Sequence, residues 1–166
     1  MKASRSQLIV DTNILIDLHR GGVIRQFFAL PYEFISSDVI VAELEVPDGS
    51  ELERMGLLSA ELTGEQVLEV EFIWTHNQSI AANDIFALVL ASHMGLPLLT
   101  GDSRLRRLSA KHNVSVHGTI WVLDEMVRQE ALTKKQAART LHQMLDGGSR
   151  LPANECEQRF RLWEVS

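Results

Sequence analysis

The sequence predicts a three-layer α/β/α fold with a mostly parallel central sheet. Short, fully apolar runs alternate with longer stretches of helical period, which is the pattern of strands joined by crossover helices. The runs also end in Asp, Gly or Asn, where a buried strand hands over to a helix. With 166 residues, 45% hydrophobic and 23% charged, the chain is long enough for one well-packed domain.

Residues 7–11, Gln-Leu-Ile-Val-Asp, read as a buried parallel strand ending at Asp11. Thr12-Asn13 then turns into an apolar helix through Leu18, and Gly21-Gly22 interrupts it. Val23 to Leu30 is helical up to Pro31, and Glu33-Phe34-Ile35-Ser36 is the next strand. Ser37-Asp38 offers an N-cap for a helix over 39–46 that Pro47 stops. Two amphipathic helices follow, over 50–60 and 63–74, the second opened by the capping-box spacing of Thr63-Gly64-Glu65-Gln66. A helix from near Asn83, with Asn83 as a candidate cap, runs to Gly95, a C-terminal glycine with Pro97 close behind. Leu96-Pro97-Leu98-Leu99-Thr100 is a buried strand with Gly101-Asp102 at its carboxyl end. A helix over 103–112, a short strand over 114–116 and a helix over 120–128 complete the alternation. Helices over 133–145 and 154–163 lie beyond it. They divide the chain into a core domain, 1–130, and a C-terminal helical extension, 131–166, packed on the same domain.

Composition narrows the function. Cys156 is alone, which excludes an internal disulfide and a cysteine zinc site. The charged start leads into an apolar stretch too short for a secretory or membrane segment, so a cytoplasmic protein with no membrane contact is expected. His76, His93, His112, His117 and His142 are scattered without helical ligand spacing, and no serine has a glycine elbow. Gly21-Gly22 and Gly147-Gly148 lack the lysine and strand of a phosphate loop. A net charge of −6 argues against a generic nucleic-acid binder unless some acids exist to hold metal.

Four acids stand out. Asp11, Glu43, Asp84 and Asp102 lie at the edge of or inside the apolar runs QLIVDTNILIDL, DVIVAELEV, NDIFALVLA and LPLLTGDSRL. Burying an unpaired carboxylate costs several kcal/mol, so each needs compensation. A hard divalent cation, Mg²⁺ or Mn²⁺, is the common one. Asp11 and Asp102 fall at the carboxyl ends of strands, where open α/β sheets bind ligands. Singly, each has a plainer use: Asp11 as a helix cap, Asp84 as a helix-dipole partner, Asp102 as a turn residue. Glu43 reads as mid-helix with apolar neighbours on nearly every face. Asp38 reads as a cap, and Asp48, Glu51, Glu53, Glu61, Glu65, Glu69 and Glu71 as solvated faces. Asp17 and Glu45 lie close enough in sequence to support the proposed ligands.

In order along the chain, Leu8-Ile9-Val10-Asp11-Thr12-Asn13, the helix bearing Glu43, and Asn83-Asp84 with Ala87 and Ala91 resemble the PIN-domain nucleases. So do Leu98-Leu99-Thr100-Gly101-Asp102 and the segment from Val114 to Trp121, giving a likeness over about residues 7–127 that rests on the ordered set. The resemblance implies a metal-dependent endoribonuclease using Mg²⁺ or Mn²⁺, and for small single-domain members a VapC-type toxin held inactive by an antitoxin protein. It places the acidic quartet on Asp11, Glu43, Asp84 and Asp102, as catalytic and metal-holding residues, and supporting polar positions on Asn13 and Thr100. The sequence departs from many members in having Ser103-Arg104-Leu105-Arg106 where a further acid follows the fourth position. Arg104, Arg106, Arg107 and Lys111 form a local basic stretch that reads either as RNA contacts or as a solvated helix face.

Two rivals remain at this stage. A haloacid-dehalogenase-like phosphatase would need a second Asp two residues after Asp11, where this chain has Asn13. A non-catalytic module of the same fold would act through partner contacts, with Leu141, Met144, Leu145, Leu151, Phe160, Leu162 and Trp163 packing on the domain, on a twin subunit in a homodimer, or on an antitoxin.

Overall fold

The computed structural model describes residues 4–165. In chain order the elements are β1 (Ser6–Val10), α1 (Thr12–Arg20), α2 (Ile24–Phe28), β2 (Tyr32–Ser37), α3 (Asp38–Glu43), α4 (Gly49–Met55) and β3 (Leu58–Ala60). They continue as α5 (Gly64–His76), α6 (Ala82–Met94), β4 (Leu98–Leu99), α7 (Ser103–Lys111), β5 (Val116–His117), α8 (Thr119–Arg128), α9 (Lys134–Asp146) and α10 (Ala153–Glu164). The five strands pair in parallel in the order β3-β2-β1-β4-β5. The chain first builds outward from β1 to one side, then returns to add β4 on the other. The crevice between the carboxyl ends of β1 and β4 is therefore the switch point of the sheet.

Strand period sorts the core into two layers of packing. Leu8, Val10, Phe34 and Leu99 face one side, against Ile14 and Leu15 of α1, Phe27 of α2, and Leu123 and Met126 of α8. Ile9, Ile35 and Leu98 face the other, against Val70 and Ile73 of α5, Ile85 and Leu88 of α6, and Leu105 of α7. Helices on both faces explain why β1 reads as continuously apolar. On the first face Phe27 stacks on Phe34 with ring centroids 3.8 Å apart.

The C-terminal helices share that first core. Leu141 and Met144 of α9 are fully buried in it, with Trp163 of α10 beside them, and Leu145, Leu151 and Phe160 are partly buried. Leu162 alone of the apolar residues named there faces solvent. Both expected capping boxes form: the Thr63 and Thr133 hydroxyls accept from Gln66 and Gln136 N–H, and each Gln side chain accepts in return.

Two expectations need correction. The helix expected over 50–60 ends at Met55, where Gly56 takes φ 129°, and Leu58–Ala60 becomes an edge strand on β2. The helix expected over 39–46 ends at Glu43, because Leu44 turns to an extended conformation and its carbonyl accepts from Gly49 N–H at 3.2 Å. Gly49 is held in a tight turn there, since a Cβ on it would lie 1.9 Å from the Val41 carbonyl oxygen. Gly49→Ala must displace backbone, so we expect a loss of about 3 kcal/mol, read as a fall in the midpoint of urea unfolding. An unchanged midpoint would show that the turn yields freely.

Candidate active site

The site grows from strand ends. Asp11 follows β1 directly and N-caps α1, accepting from Ile14 N–H at 3.1 Å. Its other oxygen accepts a hydrogen bond from the Thr100 hydroxyl. Thr100 follows β4, and its hydroxyl oxygen accepts from Asp102 N–H at 3.2 Å. A single buried threonine thus ties the two strand-end loops together. Asp102 in turn N-caps α7, accepting from Arg104 and Leu105 N–H at 2.8 and 3.2 Å. The capping uses expected for Asp11 and Asp102 are real, and each leaves carboxylate lone pairs for further contacts.

Asp84 enters from the first turn of α6 and is buried. The N-cap of that helix is Ala81, which offers no side-chain bond. Asn83 does not cap as expected; its amide donates to the Glu43 carboxylate. Glu43 is the last residue of α3 and is exposed, so the mid-helix, apolar surroundings expected for it do not hold. The early end of α3 is the reason. Asn83 is the link that brings Glu43 toward the amino end of α6, while Asn13, on the first turn of α1, is exposed.

Electrostatics couple three of the four acids. Burial pushes the Asp11 carboxyl up to about 7, against the Thr100 and Ile14 hydrogen bonds, and Asp84 and Asp17 push it further. Burial also lifts Asp84 to about 6, with a contribution from Asp102. Among the described residues none of the four acids forms an ion pair with Lys, Arg or His. Equally, among those residues no group of three His, Cys, Asp or Glu side chains is spaced to hold one ion. The donor set still suits a hard cation. Its atoms are all carboxylate oxygens, two of the groups resist ionising because they are buried beside other acids, and Mg²⁺ is typically held by one or two carboxylates with water and phosphate oxygens completing the shell.

Thr100 is the member whose effect can be read most directly. Its hydroxyl is the largest influence holding Asp11 down, so Thr100→Val should move the Asp11 titration upward from about 7. Carboxyl-carbon NMR titration in metal-free buffer checks this, and an unmoved titration would dismiss the tie.

Asp17, weighed from the sequence as a supporting residue, lies deeper. Its two oxygens accept from Ser149 Oγ at 2.6 Å and Thr119 Oγ1 at 2.8 Å, joining α1, α8 and the α9–α10 connection. Glu45 is exposed. Of the basic residues, Arg104, Arg107 and Lys111 follow spacings of three and four on α7 and share one face. Arg106 falls off that face and reaches Gly118, where a Cβ would lie 3.2 Å from its Nη2. His117 stacks on Trp121 at 4.3 Å, and burial, then Arg106, lowers its pKa. Reading the sequence missed Arg150, which lines the same cavity as Arg106, since nothing in Gly-Gly-Ser-Arg marks it.

Comparison with known proteins agrees with this architecture. Among solved structures the chain is similar to a PilT N-terminus domain protein from the hyperthermophilic archaeon Sulfolobus solfataricus P2. The TM-score is 0.52 at 10% identity, over 73% of this chain and 93% of that one, a likeness of fold alone. A search of curated proteins finds no match. A family model described as a PIN domain matches residues 7–165, taking in the C-terminal helices as well as the sheet. The chain therefore belongs to the PIN-domain family.

Proposed function

We propose that this protein is a metal-dependent endoribonuclease that hydrolyses RNA phosphodiester bonds and serves as the toxin of a toxin–antitoxin pair. PIN domains are generally nucleases that use divalent ions. One observation carries the reading for this chain: Asp11, Asp84 and Asp102 sit within electrostatic reach of one another at the switch point of the sheet, and no basic side chain among the described residues pairs with them. A purely structural role would not accumulate that repulsion.

Asp11, Asp84 and Asp102 would hold the cation, one or two of them directly and the rest through water, with Glu43 reaching it through water or serving as base for the attacking water. A bound Mg²⁺ or Mn²⁺ would lower the pKa of a coordinated water and offset charge on the phosphorane. The protein's own contribution is orientation. Thr100 fixes one Asp11 oxygen, the α7 amino end fixes one Asp102 oxygen, and Asn83 restrains Glu43. The toxin role draws on the family resemblance and on the acidic surface, with net charge −6, which suits a basic antitoxin.

The deciding experiment is cleavage of a single-stranded RNA in Mn²⁺, with EDTA and Asp84→Asn as controls. Asp84→Asn should lower the rate at least about a hundredfold, more than loss of an outer supporting group. Cleavage that persists in EDTA would remove the metal from the reading, and full activity in Asp84→Asn would remove the site.

A further inference from the structure

Beside the acid cluster lies a cavity of about 230 Å³, reached from Gly101, the residue before Asp102. It is walled by Arg106 of α7, His117 at the end of β5 and Gly118 after it, Trp121 of α8, and Arg150 and Arg159 from the C-terminal extension. Arg159 is committed, donating to both Asp124 oxygens at 2.9 and 2.8 Å. Arg106 and Arg150 are not: among the described residues neither side chain makes an ion pair or a hydrogen bond. Glu155 also lines the cavity, so three guanidinium groups stand against two carboxylates. On a chain of net charge −6, two uncommitted guanidinium groups at the mouth of an acidic site ask for an anionic ligand that spans both. The stacked His117–Trp121 pair, 4.3 Å apart and 16° from parallel, adds a flat aromatic element of the kind on which single-stranded bases stack.

Resting on the nuclease reading above, we propose that this cavity seats the nucleotide next to the scissile bond of a single-stranded RNA. Arg106 and Arg150 grip its phosphate, and the His117–Trp121 pair flanks its base. The extension is then part of the substrate site through Arg150. Arg104, Arg107 and Lys111 look along a different face of α7 and lie outside the grip, and Arg104 already donates to the Ser79 carbonyl at 3.0 Å.

Fluorescence anisotropy with a labelled single-stranded oligoribonucleotide, the full chain and no divalent ion tests this. Arg106→Gln with Arg150→Gln should raise Kd about tenfold or more and flatten the salt slope by about 0.7, the value for one phosphate no longer neutralised on a single strand. Gly118→Ala, which crowds the Arg106 tip without removing charge, should weaken binding by a smaller factor. Arg104→Gln with Arg107→Gln should stay within about twofold of wild type. Unchanged affinity and slope in the Arg106/Arg150 variant, with wild-type melting, would overturn the assignment. So would a loss confined to the Arg104/Arg107 variant, or no measurable RNA binding by the wild type. Cleavage separates the two ideas. Wild-type cleavage with cavity-independent binding sinks only the cavity, whereas cavity-dependent binding without any metal-dependent cleavage sinks only the nuclease reading.

Discussion

Asp11→Asn should melt higher than the wild type in metal-free buffer at pH 8 while losing cleavage. The unfolded carboxyl titrates near 3.8 and the folded one at about 7, so between those values the folded state keeps a proton that the unfolded state has released. Its contribution to stability is therefore complete below about pH 4 and is lost as pH rises through 7. At 1.36 kcal/mol per pH unit, the burden on the wild type at pH 8 approaches about 4 kcal/mol. For a chain of this length that is a gain of roughly 10 °C in Tm for the variant. Asparagine keeps a carbonyl for the Ile14 N–H cap, loses the charge, and turns the Thr100 contact round, its amide donating to the hydroxyl that donated to the carboxylate. The difference between the proteins should shrink toward zero at pH 4, and added Mn²⁺ should stabilise the wild type more than the variant. A variant that melts below the wild type at every pH would mean that the hydrogen bond accepted from Thr100 outweighs the charge.

Asp17→Ala should cost about 3 kcal/mol, from two hydrogen bonds to a buried carboxylate together with the stranded hydroxyls of Thr119 and Ser149. Scanning calorimetry should show a fall of roughly 8 °C. Asp17→Asn, which keeps the shape and one acceptor, should recover part of it. The Arg20 guanidinium stands 4.0 Å from the same carboxylate and is itself half-exposed, so its share is small. A double-mutant cycle with Ser149→Ala isolates the bond that fastens the α9–α10 connection to α1, and additive effects would refute the coupling. Because Ser149 precedes Arg150, the Asp17→Ala variant should also weaken RNA binding.

What was legible in the sequence follows from range. The boxed helices α5 and α9 were readable because Thr63–Gln66 and Thr133–Gln136 carry their own start signals within one turn. Strands β1 and β4 were readable because burial on both faces leaves an unbroken apolar run. Strand β3 was not, since Leu58-Ser59-Ala60 is short, half-exposed and strand-like only because β2 lies beside it. The acids at strand ends were visible as charges misplaced in apolar runs. Glu43 was drawn too deep because the turn that ends α3 depends on Gly49 folding back onto Leu44. The cavity wall was invisible, because Arg106, Trp121 and Arg150 meet only through packing of helices distant in sequence.

The central pairing of the sheet joins residues almost ninety positions apart: Ile9 lies against Leu98, and Val10 against Leu99. During synthesis, Asp11 therefore leaves the ribosome long before Thr100 or Asp102 exists to complete its surroundings. Every nascent chain too short to include β4 carries isolated acids, so a ribosome making this protein would finish most of it before these strand ends could meet.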